Sequence, residues 1–202
     1  PVAAARRISA LVPWQSVLDL GCAGGFMAEA LAKKGAVVTG IDPAVHAIAA
    51  ARAHAERGGL SISYDVGVGE SLPYADAAFD AVVCVDVLEH VVSVEAVLAE
   101  IMRVLKPGGV FLYDTINRNF LSRFATITVA EDVFGLLPKG THDPAMFIRP
   151  SELSDAMEHT GFVLGPTTGL GPRGINRRGD FVFGPLPSRA IIYMGVATKP
   201  MD

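Results

Sequence analysis

Val17-Leu18-Asp19-Leu20-Gly21-Cys22-Ala23-Gly24-Gly25 decides the reading of this chain: a short apolar run carries an acid near its end and then falls into small residues. Phe26 to about Lys34 follows with the look of a helix. The pattern predicts a buried strand whose carboxyl end opens into a tight turn. In an open α/β sheet, ligands bind outside the carboxyl ends of the strands, beside the point where strand order reverses. Glycines at such a turn let backbone approach a ligand with no Cβ in the way. The turn is therefore the first candidate for a binding site.

Working outward, Gly35 stops the helix, and Ala36 to Ile41 forms a second strand that closes on Asp42-Pro43. An acid before a helix and a proline at its start both favour helix entry, so Ala44 to Arg57 should be helical, with Gly58-Gly59 as its stop. Ser61 to Val66 reads as a third strand and Phe79 to Val85 as a fourth, separated by the polar loop Gly69 to Asp76. Val94, Val97, Leu98, Ile101 and Leu105 recur at helical spacing up to Lys106-Pro107-Gly108-Gly109, and Val110 to Thr115 is a fifth strand. This alternation predicts an α/β fold, a parallel sheet with helices on both faces. Beyond it, Ser151 to Thr160 reads as a helix capped by Ser151 and stopped by Gly161. Gly165 to Arg189 is a long loop or hairpin, and Ala190 to Thr198 a last strand.

The chain has 202 residues, half of them hydrophobic, which suits one domain spanning 1–202 with room for an insertion. Its formal charge of −4 argues against a nucleic-acid backbone as partner, because that affinity needs clustered lysine and arginine. Cys22 and Cys84 fall in or beside core strands, as small buried thiols in a reducing, cytoplasmic compartment would. No secretory signal or membrane-spanning run is visible. Val2 to Leu11 looks like the middle of a helix, so the N-terminus reads as incomplete.

Nicotinamide, flavin and sulfonium cofactors all use a glycine-rich turn after a strand. Here the small residues run Gly21, Ala23, Gly24, Gly25, which is not the three-glycine pattern that receives a pyrophosphate at a helix N-terminus. S-adenosyl-L-methionine has no phosphate. It needs a partner for its ammonium group, for which Asp19 is placed, and acceptors for two ribose hydroxyls, for which Asp42 is placed. The plainer readings are that Asp42 only caps a helix and Asp19 only ends a strand.

Asp19 to Gly25, Asp42, Glu70-Ser71-Leu72-Pro73-Tyr74 and Leu105-Lys106-Pro107-Gly108-Gly109 together resemble the Rossmann-like S-adenosylmethionine-dependent methyltransferases. The resemblance implies a mostly parallel seven-stranded sheet and a cofactor site of Asp19, Gly21, Cys22, Ala23, Gly24, Asp42, Pro43, Gly69, Glu70 and Val85. Val68 stands where that family usually has an acid, which leaves adenine contact to backbone groups. Asp86-Val87-Leu88-Glu89-His90-Val91, Ile116 to Asn119, Leu137 to Asp143, Phe147 to Pro150, Thr168 to Leu170 and Tyr193-Met194 are similar, in order and spacing, to the 3-demethylubiquinol 3-O-methyltransferases. That narrower resemblance implies methylation of a catechol-type hydroxyl on a polyprenylated ring, a ubiquinone precursor. Asp86 stands where the family tends to have glutamate, and the arginine-rich Gly171 to Gly179 loop departs from it.

A phenol must lose its proton to attack the sulfonium methyl. A divalent cation could hold both catechol oxygens, and the spacing of Asp86, Glu89 and His90 would put three ligands on one side of a first helical turn. The resemblance supports a metal there, and magnesium, zinc and manganese all stay open. Alternatively His90 or His142 acts as general base, with Asp86 beside it. The plainer reading is that Asp86 and Glu89 favour a helix N-terminus and His90 is a packed residue.

Residues 117–149 break the alternation. Phe120, Leu121, Phe124, Ile127, Val129, Val133, Phe134, Leu136 and Leu137 spread nearly all round a helix, while Arg118, Arg123, Lys139 and Arg149 outnumber Glu131, Asp132 and Asp143. Such a helix is either a lid over a lipid-tailed substrate that touches an anionic membrane surface, peripheral to the inner membrane, or an ordinary buried helix. Arg173, Arg177, Arg178 and Arg189 read as a solvated loop. Two other functions keep the cofactor: methylation of a small phenolic natural product, and a non-catalytic cofactor- and lipid-binding role in a biosynthetic assembly.

Overall fold

The structure, a computed structural model, describes residues 15–124, 143–176 and 181–201. The sequence-predicted helix at Val2 to Leu11, residues 125–142 of the expected lid with His142 and Lys139, and Arg177 and Arg178 lie outside them.

Five strands and three helices alternate in the order the sequence implies. They are β1 (Ser16–Leu20), α1 (Phe26–Ala32), β2 (Val37–Asp42), α2 (Val45–Arg57), β3 (Ser63–Val66), β4 (Phe79–Cys84), α3 (Val94–Val104) and β5 (Leu105–Ile116). Successive side chains in a strand point to opposite faces, and β1 and β4 bury both. Val17, Ala81 and Val83 join Met27, Leu31, Ile48 and Ala51 in one core cluster, under α1 and α2. Leu18, Val82 and Cys84 join Val97, Leu98 and Ile101 in the other, under α3. Two buried faces explain why these strands read as unbroken apolar runs. Asp19, one place beyond Leu18, shares the α1 side with Val17.

After β5 come α4 (Phe120–Arg123), α5 (Pro150–Thr160), β6 (Val163–Ile175), β7 (Phe181–Leu186) and β8 (Ile192–Thr198). The sheet runs β3-β2-β1-β4-β5-β8-β6-β7. Pairs among β1 to β5 are parallel, while β5–β8, β8–β6 and β6–β7 are antiparallel. The sheet is therefore eight-stranded and mixed, which corrects the seven-stranded expectation. The glycine- and proline-rich stretch supplies the extra strand, because β6 and β7 form a long hairpin at the sheet edge. Proline cannot donate to a ladder, and the β6 register slips between Leu164 and Thr167, around Pro166, and again between Pro172 and Gly174. Two smaller corrections concern boundaries. β5 begins at Leu105, so Lys106 to Gly109 lies within the strand, and α5 has Arg149 at its N-cap with Pro150 inside, in place of Ser151.

Strand order reverses between β1 and its two neighbours, β2 and β4. The carboxyl ends of β1, β2, β4 and β5 meet there, and every sequence-predicted site residue within the described chain lies on or just after one of these strands or on the β3–β4 loop.

Candidate active site

The turn after β1 is fixed from several sides. Gly21 has φ 73 and Gly25 φ 81, in the left-handed region that suits glycine. A Cβ on Gly21 would lie 2.2 Å from Val87 Cγ2, and one on Gly25 2.4 Å from the Tyr64 hydroxyl. Ala23 takes φ 43 between them despite its side chain. Asp42 holds it there: Oδ2 accepts from Ala23 N at 2.9 Å, while Oδ1 accepts from Ala44 N at 2.8 Å, just ahead of α2. The Gly21 and Cys22 amides both donate to Ile41 O. Asp42 thus serves the helix entry and the turn at once, and a carboxylate has further lone pairs for ribose hydroxyls.

Asp19 is only 2% exposed, and its Oδ2 has no hydrogen-bond partner among the described residues. Burial pushes its carboxyl up from 3.8 to about 7; the Ala28 amide pulls it back and Asp42 adds to the rise. A buried acceptor left without a donor is costly, and an ammonium group would satisfy it. That orphaned oxygen fits the amino-acid end of S-adenosylmethionine. Cys22 is buried beside it, with its thiol pushed up to about 12 by burial, then by Asp19 and Asp42, so it lines the turn as a neutral group. Gly24 is half-buried and Pro43 exposed, both at the rim. Across the cleft, Gly69 is buried where a Cβ would meet Val97 and Leu20, and Glu70 Oε1 accepts from Val92 N at 2.8 Å. Val85, half-buried, ends the run of β4.

Asp86 follows with φ 56, and Leu88–His90 is a 3₁₀ turn. The stacking of an α-helical turn is therefore not made. Glu89 points inward, 2% exposed, and its Oε2 accepts from Thr115 Oγ1 at 2.6 Å, whereas Asp86 and His90 are exposed. Among the described residues no group of three or more histidines, cysteines or acids could hold a metal ion. The expected donor set of Asp86, Glu89 and His90 is thus not assembled, because one of its members is committed to the core.

Residues 18–113 match the family described as a methyltransferase domain. A ubiquinone biosynthesis O-methyltransferase of Coxiella burnetii is 47% identical over 154 residues, 76% of this chain and 66% of the relative. One from Methylobacterium sp. is 39% identical over 192 residues, covering 92% of this chain and 73% of the relative. The chain belongs to this family of ubiquinone biosynthesis O-methyltransferases. The chain's match thus spans about two thirds of the Coxiella relative's length. Among solved structures, a S-adenosylmethionine-dependent methyltransferase of Methanosarcina mazei superposes with TM-score 0.72 at 22% identity, over 97% of this chain and 98% of that one. A structure from work on echinomycin biosynthesis reaches TM-score 0.75 at 22% identity, over 100% of this chain and 82% of that one. Both establish the Rossmann-like methyltransferase fold.

Sequence reasoning missed Asp114 in this member of the family. It is 2% exposed, its Oδ1 accepts from Asp86 N at 2.8 Å, and burial holds its carboxyl well above the usual range, with Asp86 and Glu89 adding to the rise. The signal was present, an acid near the end of an apolar strand, the same signature that singled out Asp19. The flank of the expected lid is partly neutralised. Arg118 pairs with Glu152 of α5, and Arg149 lies 3.7 Å from the same carboxylate. Asn117 and Asn119 donate through their side chains to the carbonyls of Arg189 and Ala190, which fixes the exit from β5 against the entry to β8. On α4, Phe120 is 83% exposed and its ring stacks on the Phe124 ring at 6.5 Å. No helix among the described residues is long and apolar enough to cross a membrane.

Proposed function

We propose that this chain is an S-adenosylmethionine-dependent O-methyltransferase whose acceptor is a catechol-type hydroxyl on a polyprenylated ubiquinone precursor, and that 1–202 works as one domain with an insertion at 117–149. The observation that carries the cofactor is the buried Asp19 Oδ2, without a hydrogen-bond partner among the described residues, beside a turn held by Asp42. Membership of the family of ubiquinone biosynthesis O-methyltransferases supports the acceptor.

When bound, S-adenosylmethionine supplies a methyl group on a positively charged sulfur. The residues of this chain do the rest. Asp19 takes the ammonium group, Asp42 the ribose hydroxyls, and backbone groups at Val68 to Glu70 the adenine edge. A phenol with pKa of about 10 needs its proton removed as the oxygen–carbon bond forms and the carbon–sulfur bond breaks. We assign that proton to His90, exposed at the mouth of the cleft. Its turn is held by two anchors, the Asp86 amide on Asp114 and the Thr115 hydroxyl on Glu89. No step is routed through a metal, since the donors present do not fit one. The exposed Phe120, Leu121 and Phe124 supply an apolar surface suited to a prenyl tail or the face of an anionic membrane.

Incubation of the chain with S-adenosylmethionine and a prenylated catechol should yield S-adenosylhomocysteine and a product heavier by one methyl group, read by mass spectrometry. Absence of turnover on prenylated and bare catechols alike refutes the enzyme reading. Equal turnover of both replaces the ubiquinone precursor with a small phenol.

A further inference from the structure

The β3–β4 loop is held from outside the cleft by one side chain that the proposed reaction does not touch. Arg103, in the last turn of α3, uses all five of its N–H donors. Nε donates to Glu100 Oε1 at 2.8 Å and Nη2 to Glu100 Oε2 at 2.8 Å. Nη2 also donates to Leu72 O at 3.0 Å, and Nη1 to Tyr74 O at 2.7 Å and to Asp76 Oδ1 at 2.8 Å. Glu100 completes the clasp, its Oε2 accepting from Leu72 N at 2.7 Å, and the Ala77 amide donates to the Arg103 carbonyl. The loop between β3 and β4 has no helix or strand of its own, and it carries Gly69 and Glu70 on its cleft side. On the cleft side the Val92 amide donates to Glu70, and at the loop's start the Gly67 amide donates to Asp42 O.

We infer that Arg103 and Glu100 are positioning residues for the cofactor, a guanidinium–carboxylate clasp that fixes Leu72 to Asp76 and so sets where Val68 to Glu70 meet the adenine. The inference rests on the cofactor reading above. A planar fork with five donors is what the five acceptors require; lysine, with three donors on a point charge, cannot replace it. Ordering a loop before binding lowers the entropy cost that binding would otherwise carry.

The test compares the wild type with Arg103→Lys, Glu100→Gln and, as a control, Lys199→Met. Lys199 Nζ donates to the carbonyls of Met102 and Leu105, so its loss loosens the same end of α3 without touching the loop. Affinity for S-adenosylhomocysteine is measured by calorimetry, and amide exchange is followed across 68–77. Arg103→Lys should weaken the ligand about tenfold, the equivalent of one charged hydrogen bond. It should also speed exchange in 68–77 and raise KM for the cofactor with kcat and the acceptor KM unchanged. Lys199→Met should lower the melting temperature and leave affinity and loop exchange as in the wild type. Wild-type affinity in Arg103→Lys, or equal losses in Lys199→Met, overturns the clasp's role. Failure of the wild type itself to bind overturns the cofactor reading, and the clasp's role with it.

Discussion

Replacing Asp19 with asparagine separates the stability of the fold from its affinity for the cofactor, and pH tells the two apart. The folded chain holds the Asp19 carboxyl at about 7 against 3.8 in the unfolded chain, chiefly through burial. The fold therefore favours the neutral acid. Stability from this group is fully present below the unfolded value, declines as pH rises from about 4, and is lost once pH passes the folded value near 7. The gap of roughly three pKa units corresponds to about 4 kcal/mol. Asp19→Asn removes that dependence while nearly preserving shape. At pH 4 the two proteins should melt together, and at pH 8 the variant should melt higher, by on the order of 10 °C for a domain of this size. Saturating S-adenosylhomocysteine should reverse the order at pH 8, because its ammonium group pairs with the wild-type carboxylate and finds an amide in the variant. Scanning calorimetry from pH 4 to 8, with and without ligand, reads both effects. Parallel pH curves for the two apo proteins would refute the buried-acid argument. A ligand that stabilises both equally would refute the ammonium assignment.

Asp42→Ala removes the acceptors of two amides and the expected ribose contact, so cofactor affinity should fall by about 2 kcal/mol or more by calorimetry, with the α2 entry also weakened. Tyr64→Phe deletes a buried hydroxyl that has no hydrogen-bond partner among the described residues, and should leave stability unchanged or raise it by up to about 1 kcal/mol in urea unfolding. Gly25→Ala would press a Cβ to 2.4 Å from that same hydroxyl at φ 81, and should cost about 1–3 kcal/mol in the same assay. Replacing Phe120 and Phe124 with serine should reduce flotation with anionic liposomes while leaving turnover of a short-chain catechol intact; unchanged flotation removes α4 from the membrane reading.

β1 and β4 were legible because they are buried on both faces and read as apolar runs. An acid at the carboxyl end of such a run stands out, as Asp19 does near the end of β1, and Asp42 closes β2 in the corresponding place. β6 was legible only as one arm of a possible hairpin, because its sequence lacks the usual strand pattern. Gly165-Pro166-Thr167-Thr168-Gly169 has no alternation and is broken by glycine and proline, and it is extended because β8 pairs with Thr167 to Gly169 while β7 joins from Gly169 onward. Gly169 has no alternative there, since a Cβ would lie 1.7 Å from Ser188 O. Pro185 is tolerated because β7 is an edge strand. Tertiary pairing overrode local preference.

The same distinction explains why Asp86, Glu89 and His90 do not form one donor group among the described residues. Spacing placed Asp86, Glu89 and His90 on one side of a helical turn, which holds only if the backbone is α-helical. The left-handed Asp86 and the short 3₁₀ turn break that phase, and Thr115 on the neighbouring strand draws Glu89 into the core. Nothing local in Asp86 to His90 announces this, because the partners, Asp114 and Thr115, lie 28 and 26 residues away in sequence. The acids proposed to hold the cofactor were readable because they sit at strand ends, where position alone assigns direction. Acceptor recognition depends on which loop residue turns toward which strand, and that is decided by long-range hydrogen bonds that spacing does not encode. Asp114 and Thr115 of β5 are therefore the residues through which a change far from the turn should alter acceptor chemistry while leaving the proposed cofactor contacts of Asp19 and Asp42 in place.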